Sequence, residues 1–260
     1  MIINKIDYTF ERFSSGELKL KTNNLRNLAV NNEVTILYNG EISLFELFIV
    51  VDFYKQNDCK VNLILSYLPY QRMDKNNGIE VCTIQNVAHL FNKLNLDSLS
   101  ICEPHSSLQY FNNAKVIQLV SKIYNLSKSE IGLTDTDKLV FTDKGSYDKF
   151  SKLGENAIYF EKHRSINTGL IDTHRIIGNI DGANKFVIID DIISTGDTII
   201  SCISYLPKDA EIYIICGHFE QNKYNLRLLD IPQVKKIYSS NSLTKEALPK
   251  LKLFNIEDLI

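Results

Sequence analysis

The stretch that decides the fold is Phe-Val-Ile-Ile-Asp-Asp-Ile-Ile-Ser-Thr-Gly-Asp-Thr-Ile, residues 186–199. It begins with an unbroken apolar run rich in β-branched residues, which is typical of a strand buried on both faces of a parallel sheet. Asp190 and Asp191 then fall at the carboxyl end of this predicted strand. Because open α/β sheets bind ligands in the crevice at that end, the two carboxylates indicate a ligand site.

A turn with hydroxyl groups, a glycine and a further acid follows and leads into a predicted helix: Ser194, Thr195, Gly196, Asp197 and Thr198. Backbone N–H groups in such a turn, together with the positive end of the helix dipole, favour a phosphate group. Asp190 and Asp191 can meanwhile accept hydrogen bonds from two ribose hydroxyls. The pattern therefore indicates a sugar-phosphate site. The structural alternative is a strand that ends in a helix cap at Ser194 or Asp197, in which an aspartate pair has no purpose.

Length and composition are those of a globular protein with one large or two ordinary α/β domains: 260 residues, 44% hydrophobic and 23% charged. The 29 basic and 31 acidic residues give a net charge of -2, so no overall field attracts nucleic acid or a membrane. The five cysteines are widely spaced and form no CxxC motif, which predicts reduced core residues. Without a secretory signal near Met1, a cytoplasmic location is expected.

Two series of alternating strands and helices predict an α/β fold with two mainly parallel sheets flanked by helices. The predicted strands are 34–38, 61–66, 99–102, 115–119, 139–142, 157–160, 175–177, 186–189 and 211–216, and the predicted helices are 44–54, 83–94, 145–153, 198–205 and 243–251. The polar stretch 121–137 weakens any apolar period and is interpreted as the boundary. The predicted domains are therefore residues 1–122 and residues 123–260.

Several motifs resemble, in the same order along the chain, those of the phosphoribosyl-pyrophosphate (PRPP) synthetases, also called ribose-phosphate diphosphokinases. They are Phe13-Ser14-Ser15-Gly16-Glu17, Leu68-Pro69-Tyr70-Gln71-Arg72-Met73-Asp74, Ile101-Cys102-Glu103-Pro104-His105-Ser106, Phe141-Thr142-Asp143-Lys144-Gly145-Ser146-Tyr147-Asp148-Lys149, Glu161-Lys162-His163-Arg164 and the stretch 190–198. The resemblance implies two tandem type I phosphoribosyltransferase-like domains. It also implies ATP and a ribose 5-phosphate-containing acceptor as substrates, Mg²⁺ as cofactor and a homo-oligomer as the assembly.

The resemblance assigns a role to each of these motifs. It implies ATP binding by Phe13, Glu17, Arg72, Asp74 and His105, with the first two reaching the ATP of a neighbouring subunit. It implies a pyrophosphate loop of Asp143, Lys144, Gly145 and Ser146, and catalysis by Lys162 and Arg164, which open a lid over residues 165–173. The ribose phosphate is expected on Asp190, Asp191, Ser194, Thr195, Gly196, Asp197 and Thr198, and Mg²⁺ on His105, Asp143 and Asp190.

The activity implied is transfer of the β,γ-diphosphate of ATP to the anomeric 1-hydroxyl of the acceptor, with release of AMP. Asp197 stands where the family has glycine, and a carboxylate there disfavours a dianionic phosphate monoester more than a singly charged ester. Together with the chain's short start, this suggests the short, phage-type branch, some of whose members convert ADP-ribose to its pyrophosphate for NAD synthesis. Two alternatives stay open: a type I phosphoribosyltransferase without an ATP site, and an inactive PRPP-synthetase-associated regulatory protein.

Overall fold

Apolar strands assemble into two separate sheets in the computed structural model of the chain. The structure describes residues 1–76, 78–164 and 171–260, with the side chains of 162–164 and 171–174 left out of the description. The chain divides into two units, Met1–Ile117 and Gln118–Ile260. Each unit contains one of the sheets, so the predicted α/β fold with two mainly parallel sheets is confirmed.

The first unit is built on a six-stranded sheet in the order β2-β1-β5-β6-β7-β8. Strands β5 to β8 are parallel, whereas β1 is antiparallel to both β2 and β5, and β3 pairs with β4 in a small hairpin. The elements are β1 (Ile2–Ile3), β2 (Ile6–Asp7), β3 (Glu11–Arg12), β4 (Leu18–Lys19), α1 (Thr22–Leu28), β5 (Glu33–Tyr38), α2 (Leu44–Gln56), β6 (Lys60–Leu65), α3 (Thr83–Asn92), β7 (Ser98–Cys102) and β8 (Ala114–Ile117).

Local sequence explains the main elements of this unit. Alternate residues of β6, namely Val61, Leu63 and Leu65, are fully buried, as expected for a strand with one face on the core. Helix α2 begins at a capping box, in which the Ser43 side chain accepts from the backbone N–H of Glu46 and the Glu46 carboxylate accepts from that of Ser43. These strands and helices hold the loops of the predicted ATP side.

The second unit is built on a seven-stranded sheet in the order β11-β10-β9-β12-β13-β14-β15. All its strand pairs are parallel except β10 with β11. The strand quoted at the outset is therefore central, with neighbours on both sides. The elements are α4 (Leu119–Ile131), β9 (Lys138–Phe141), α5 (Lys144–Phe150), β10 (Ala157–Arg164), β11 (Ile171–Ile177), β12 (Lys185–Ile193), α6 (Asp197–Ser204), β13 (Glu211–Phe219), α7 (Arg227–Asp230), β14 (Val234–Ser240), β15 (Leu251–Phe254) and α8 (Ile256–Leu259).

The polar stretch 121–137, interpreted from the sequence as the boundary, is mostly a helix. Helix α4 runs from Leu119 to Ile131 and ends at Gly132 in the left-handed conformation. Val120, Ile123 and Ile131 recur at helical spacing and are buried, which compensates for the polar residues on the exposed face. The observed division falls before this helix, and the predicted division after residue 122 would cut it.

The helix predicted over residues 243–251 is not formed in the described structure. Its amino-terminal part is irregular and its last residue begins β15. The Thr244 hydroxyl donates to the carbonyl of Phe219 at 2.5 Å and accepts from the N–H of Gln221 at 3.1 Å. Such side-chain bonds to the backbone compete with helix formation, and Pro249 cannot donate a helical hydrogen bond.

All five cysteines are buried thiols, as expected from their spacing. No helix in the described ranges is long and apolar enough to cross a membrane.

Candidate active site

The site lies at the carboxyl end of β12, which is longer than predicted. The strand continues through both aspartates to Ile193, and β13 accompanies it as far as Phe219. On the other side β9 ends at Phe141, opposite Ile189. Asp190 and Asp191 therefore extend beyond the end of the neighbouring strand, which leaves that edge open to a ligand.

Asp190 is partly buried and accepts two hydrogen bonds from its own unit. Its Oδ2 accepts from the Thr142 hydroxyl at 2.9 Å, and its Oδ1 accepts from the backbone N–H of Asp191 at 3.0 Å. Burial above all, and then the charge of Asp191, raise the pKa of Asp190 well above its ordinary value. Such a carboxylate gains stability from a proton, a hydroxyl donor or a cation.

Asp191 is more deeply buried, with only 5% of its surface exposed. Because successive side chains of a strand point to opposite faces of the sheet, it makes contacts different from those of Asp190. Its Oδ2 lies 3.4 Å from the Lys149 ammonium group, which reaches it from α5. The two acids are therefore adjacent in sequence but differ in surroundings, one beside a hydroxyl group and the other beside a cation.

The turn after β12 contains a glycine in the left-handed conformation directly before α6. Gly196 has a φ of +80°, and it precedes the first residue of α6. The Asn222 side chain donates to the carbonyl of Ser194 at 2.8 Å and so fixes the beginning of the turn. Gly196 is buried, Ser194 and Thr198 are partly buried, and Thr195 is exposed. Residues 194–198, which were predicted to bind the phosphate of the sugar, therefore form one turn, which we call the cradle.

Replacing Gly196 by alanine is expected to destabilise the second unit. The added Cβ would meet Leu228 at 3.0 Å in a backbone conformation that L-residues rarely adopt, so a loss of about 1–3 kcal/mol is expected. Gly182→Ala is a matched control, because its φ of +73° carries the same backbone cost but nothing lies within 4 Å. Thermal unfolding should show a larger loss for Gly196→Ala. Equal losses would contradict the close approach of the turn to Leu228.

Asp197, the unexpected acid of the cradle, is paired in the structure. Its Oδ2 accepts from the Thr195 hydroxyl at 2.7 Å, and its Oδ1 lies in an ion pair with the guanidinium group of Arg227 on α7. These two contacts, the hydroxyl first, hold the pKa of Asp197 below its ordinary value. The carboxylate is thus ionised, and a cation accompanies it.

The predicted pyrophosphate loop joins β9 to α5. Asp143 is the N-cap of α5 and accepts from the N–H of Ser146 at 2.9 Å, while the Ser146 hydroxyl accepts from the N–H of Asp143 at 3.1 Å. Asp143 therefore caps α5, and this role is compatible with a further role in binding. Lys144 is directed elsewhere: it pairs with Asp148 and lies 4.9 Å from the ring centre of Tyr147. Gly145 is exposed.

In the first unit, two loops that carry predicted ATP residues are joined by a hydrogen bond. The buried Gln71 accepts through Oε1 from the N–H of His105 at 2.8 Å, which ties the loop after β6 to the loop after β7. Arg72 and His105 are exposed beside this bond, and Asp74 is partly buried. The carboxyl ends of two neighbouring parallel strands thus present these side chains on one edge.

Phe13 and Glu17 flank the tight turn between β3 and β4. The N–H of Phe13 donates to the carbonyl of Glu17 at 2.9 Å, and Gly16 has a φ of +91°. The Phe13 side chain is 53% exposed, and a cavity of about 700 Å³ lies between this turn and α2. An exposed aromatic ring on a hairpin suits contact with a base or another chain.

Lys162 and Arg164 lie among the last residues of the backbone of β10, and their side chains are outside the described part of the structure. Lys162 is in register with His174 of β11, but the register shifts between His163 and Arg164. His163 pairs with Thr173 and Arg164 with Ile171, so the extra residue at this irregularity lies on β11 and not on β10. Of the predicted lid, residues 165–170 lie outside the description and the rest begin β11.

No group of three or more His, Cys, Asp and Glu side chains is placed to hold a metal ion by itself among the described residues. The donors nevertheless suit Mg²⁺, which commonly binds through one or two carboxylates and the phosphates of its substrate. Asp143 and the partly buried Asp190 are close enough for the charge of Asp143 to raise the pKa of Asp190, and a cation would relieve that repulsion. His105 belongs to the first unit.

Four side chains at the site were missed in the sequence: Thr142, Lys149, Asn222 and Arg227. Lys149 ended a motif that resembles the family's pyrophosphate loop, and its spacing from Asp143 was the available signal. Asn222 and Arg227 lie in the segment after β13, where no local pattern relates them to residues 194–197.

Comparison with known proteins agrees with this geometry. No family model matches the chain. The ribose-phosphate pyrophosphokinase of Sulfolobus acidocaldarius is 28% identical over 218 residues, which cover 78% of this chain and 72% of that protein. The enzyme of that name from Mycoplasmopsis pulmonis is 26% identical over 249 residues, covering 92% and 77%.

A solved structure has the same fold. The phosphoribosylpyrophosphate synthetase of Mycobacterium smegmatis aligns with a TM-score of 0.75 at 20% identity, over 96% of this chain and 86% of that one. The fold, the relatives and the order of the motifs lead to one conclusion: over most of its length the chain is similar in sequence, and in its fold, to the PRPP synthetases (ribose-phosphate pyrophosphokinases), which are diphosphotransferases.

Proposed function

We propose that the protein transfers the β,γ-diphosphate of ATP to the anomeric hydroxyl of ribose 5-phosphate, forming PRPP and AMP. The observation that carries this proposal is the edge formed by Asp190, Asp191 and the turn 194–198 at the end of β12. Its carboxylates suit the hydroxyl groups of a ribose, and its backbone N–H groups suit a phosphate. The names of the curated relatives support the same substrates.

In this reaction the sugar is held at both ends. The turn 194–198 receives the 5-phosphate, while Asp190 and Asp191 accept from the 2- and 3-hydroxyls, with Lys149 and Thr142 fixing the two carboxylates. The 1-hydroxyl oxygen then attacks the β-phosphorus of ATP and its proton passes to solvent, while the bond from that phosphorus to the oxygen of AMP breaks and AMP leaves with the electron pair. Because such a transfer involves no covalent enzyme intermediate, positioning and charge stabilisation account for the catalysis.

Cationic groups must balance the charge of the transferred diphosphate. We assign this role to Lys162 and Arg164, which the motif places at the end of β10, and to the N–H groups of the loop 143–146. Mg²⁺, when bound, supplies further positive charge to the phosphate oxygens, and Asp190, Asp143 and His105 are the residues proposed to hold it. Charges preorganised at such a site stabilise the transition state more than they would in water.

The ATP side is proposed to be the edge of the first unit that carries Arg72, Asp74 and His105. The planar guanidinium group of Arg72 matches the oxygens of a polyphosphate. Phe13 and Glu17 are proposed to contact the base of an ATP bound to another subunit, which makes the active assembly a homo-oligomer. The exposed ring of Phe13 supports this proposal.

A product assay by mass spectrometry tests the function. Incubation with ATP, Mg²⁺ and ribose 5-phosphate is expected to give PRPP and AMP in equal amounts. A type I phosphoribosyltransferase would instead consume PRPP with a base and release no AMP. Tight ATP binding without AMP release for every acceptor would favour an inactive regulatory protein and reject the proposal.

ADP-ribose is a second candidate acceptor and is assayed in parallel. It contains the same ribose 5-phosphate moiety, with the phosphate esterified, and the product would be ADP-ribose pyrophosphate, a compound for NAD synthesis in the phage-type branch. The exposure of Thr195 and Asp197 favours it, because a substituent on the phosphate could leave toward solvent. A higher kcat/KM with ADP-ribose would make it the acceptor in place of ribose 5-phosphate.

A further inference from the structure

The pairing of Asp197 with Arg227 bears on which phosphate the cradle accepts. Asp197 is the first residue of α6, within the turn assigned to the 5-phosphate, and its carboxylate is ionised. A phosphate monoester carries close to two negative charges near neutral pH. A lone carboxylate at this position would therefore oppose the acceptor more strongly than any other group of the turn.

The structure supplies the opposite charge from a different segment. Arg227 is the first residue of α7, and its Nη2 donates to Oδ1 of Asp197, while the Thr195 hydroxyl occupies Oδ2. The pair is solvent-exposed, with 47% of the Arg227 side chain and 69% of the Asp197 side chain accessible. Exposed ion pairs contribute little to folding stability, so stabilisation of the fold does not account for the pair of Asp197 and Arg227.

We propose that Arg227 is a positioning residue that sets acceptor specificity, because its charge cancels that of Asp197 and lets the turn 194–198 receive a doubly charged phosphate monoester. The inference rests on the proposed function, which places a 5-phosphate in this turn. In the sequence alone, the negative charge of Asp197 argues against ribose 5-phosphate as the acceptor. The charge of Arg227 removes that argument. The phosphate then meets a neutral pair and the backbone N–H groups.

The test is direct binding of ribose 5-phosphate, measured by isothermal titration calorimetry without ATP. We expect Arg227→Gln to weaken binding about tenfold, which corresponds to one uncompensated charge near the surface. Arg227→Lys should restore most of the affinity, because it restores the charge. The double variant Asp197→Asn with Arg227→Gln should recover most of the affinity that Arg227→Gln alone loses, because it removes both charges.

Salt separates a charge effect from a structural one. The loss in Arg227→Gln should shrink between about 50 mM and about 500 mM NaCl, since screening weakens the repulsion from Asp197. Lys252→Gln is the control, because Lys252 forms a comparable exposed pair with Glu130 in the same unit, and its binding should be unchanged. Thermal unfolding of every variant verifies that it is folded.

Two results would overturn the inference: unchanged affinity in Arg227→Gln, or a loss that the double variant keeps and salt does not alter. The proposed function fails separately, through absence of AMP release by the unmodified protein with ribose 5-phosphate and ATP. Because the binding measurement requires no turnover, either failure can be recognised without the other. Undetectable binding of ribose 5-phosphate to the unmodified protein would reject the inference as well.

Discussion

The Asp190→Asn variant is expected to lose at least about 10²-fold in AMP release with ribose 5-phosphate, because Asp190 is assigned both a ribose hydroxyl and Mg²⁺. An asparagine keeps the size of the side chain and can still accept from the Thr142 hydroxyl. It cannot carry the negative charge that a cation requires. The loss should therefore appear in kcat while the protein remains folded.

The same variant is expected to change stability in opposite directions at low and high pH, when measured with a metal chelator present. Asp190 has a raised pKa, so the unfolded chain releases this proton at a lower pH than the folded protein does. The folded protein consequently loses stability as the pH rises from about 4 toward neutrality, and the loss is complete above the raised pKa. The asparagine side chain of the variant does not titrate, so this loss should disappear from the variant.

The Asp190→Asn substitution also weakens one hydrogen bond of the folded protein. The N–H of Asp191 donates to the Asp190 carboxylate, and an amide can replace only one of the two acceptor oxygens, at a cost of about 1 kcal/mol. We therefore expect a Tm below that of the unmodified protein at about pH 4 and above it at about pH 8. Asp209→Asn, at an exposed position, serves as control and should change the Tm at neither pH. A Tm difference that is the same at both pH values would contradict the burial of Asp190 as an ionisable group.

The central part of the fold could be predicted because its signals are local. An apolar run of β-branched residues predicts a buried strand, and this held for β5, β6, β7, β9 and β12. The strands at the outer edge of the second sheet were missed or misassigned for the opposite reason. Strand β14 contains Lys235 and Lys236 and ends in two serines, and its identity depends on pairing with β13 and β15. At this edge of the sheet, pairing with neighbouring strands determines the secondary structure, and local propensity does not.

The site shows the same division between local and distant information. Asp190, Asp191 and the turn 194–198 are contiguous, so one motif predicts their proximity. The partners that adjust their charges come from three other segments: Thr142 after β9, Lys149 on α5 and Arg227 on α7. No sequence pattern predicts that these three side chains lie beside the aspartates. The function class could therefore be inferred from sequence, whereas the electrostatics of the cradle required the fold.

Replacement of Lys162 by alanine is expected to lower kcat for AMP release by about 10²–10³, while ATP binding stays measurable. The reason is that Lys162 is assigned to the negative charge that shifts onto the bridging and equatorial oxygens of the transferred diphosphate in the transition state. Its backbone lies in the regular part of β10, opposite His174 and before the register shift.

A lysine from the same unit provides the control for this experiment. Lys235 is exposed on β14, and Lys235→Ala removes the same charge and the same methylene groups from a position with no assigned role. Single-turnover rates and ATP affinities should be compared for both variants. If Lys162→Ala releases AMP at a rate close to that of Lys235→Ala, Lys162 is not the catalytic cation. Arg164→Ala, which removes the second cation assigned to the diphosphate, would then be expected to show the loss instead.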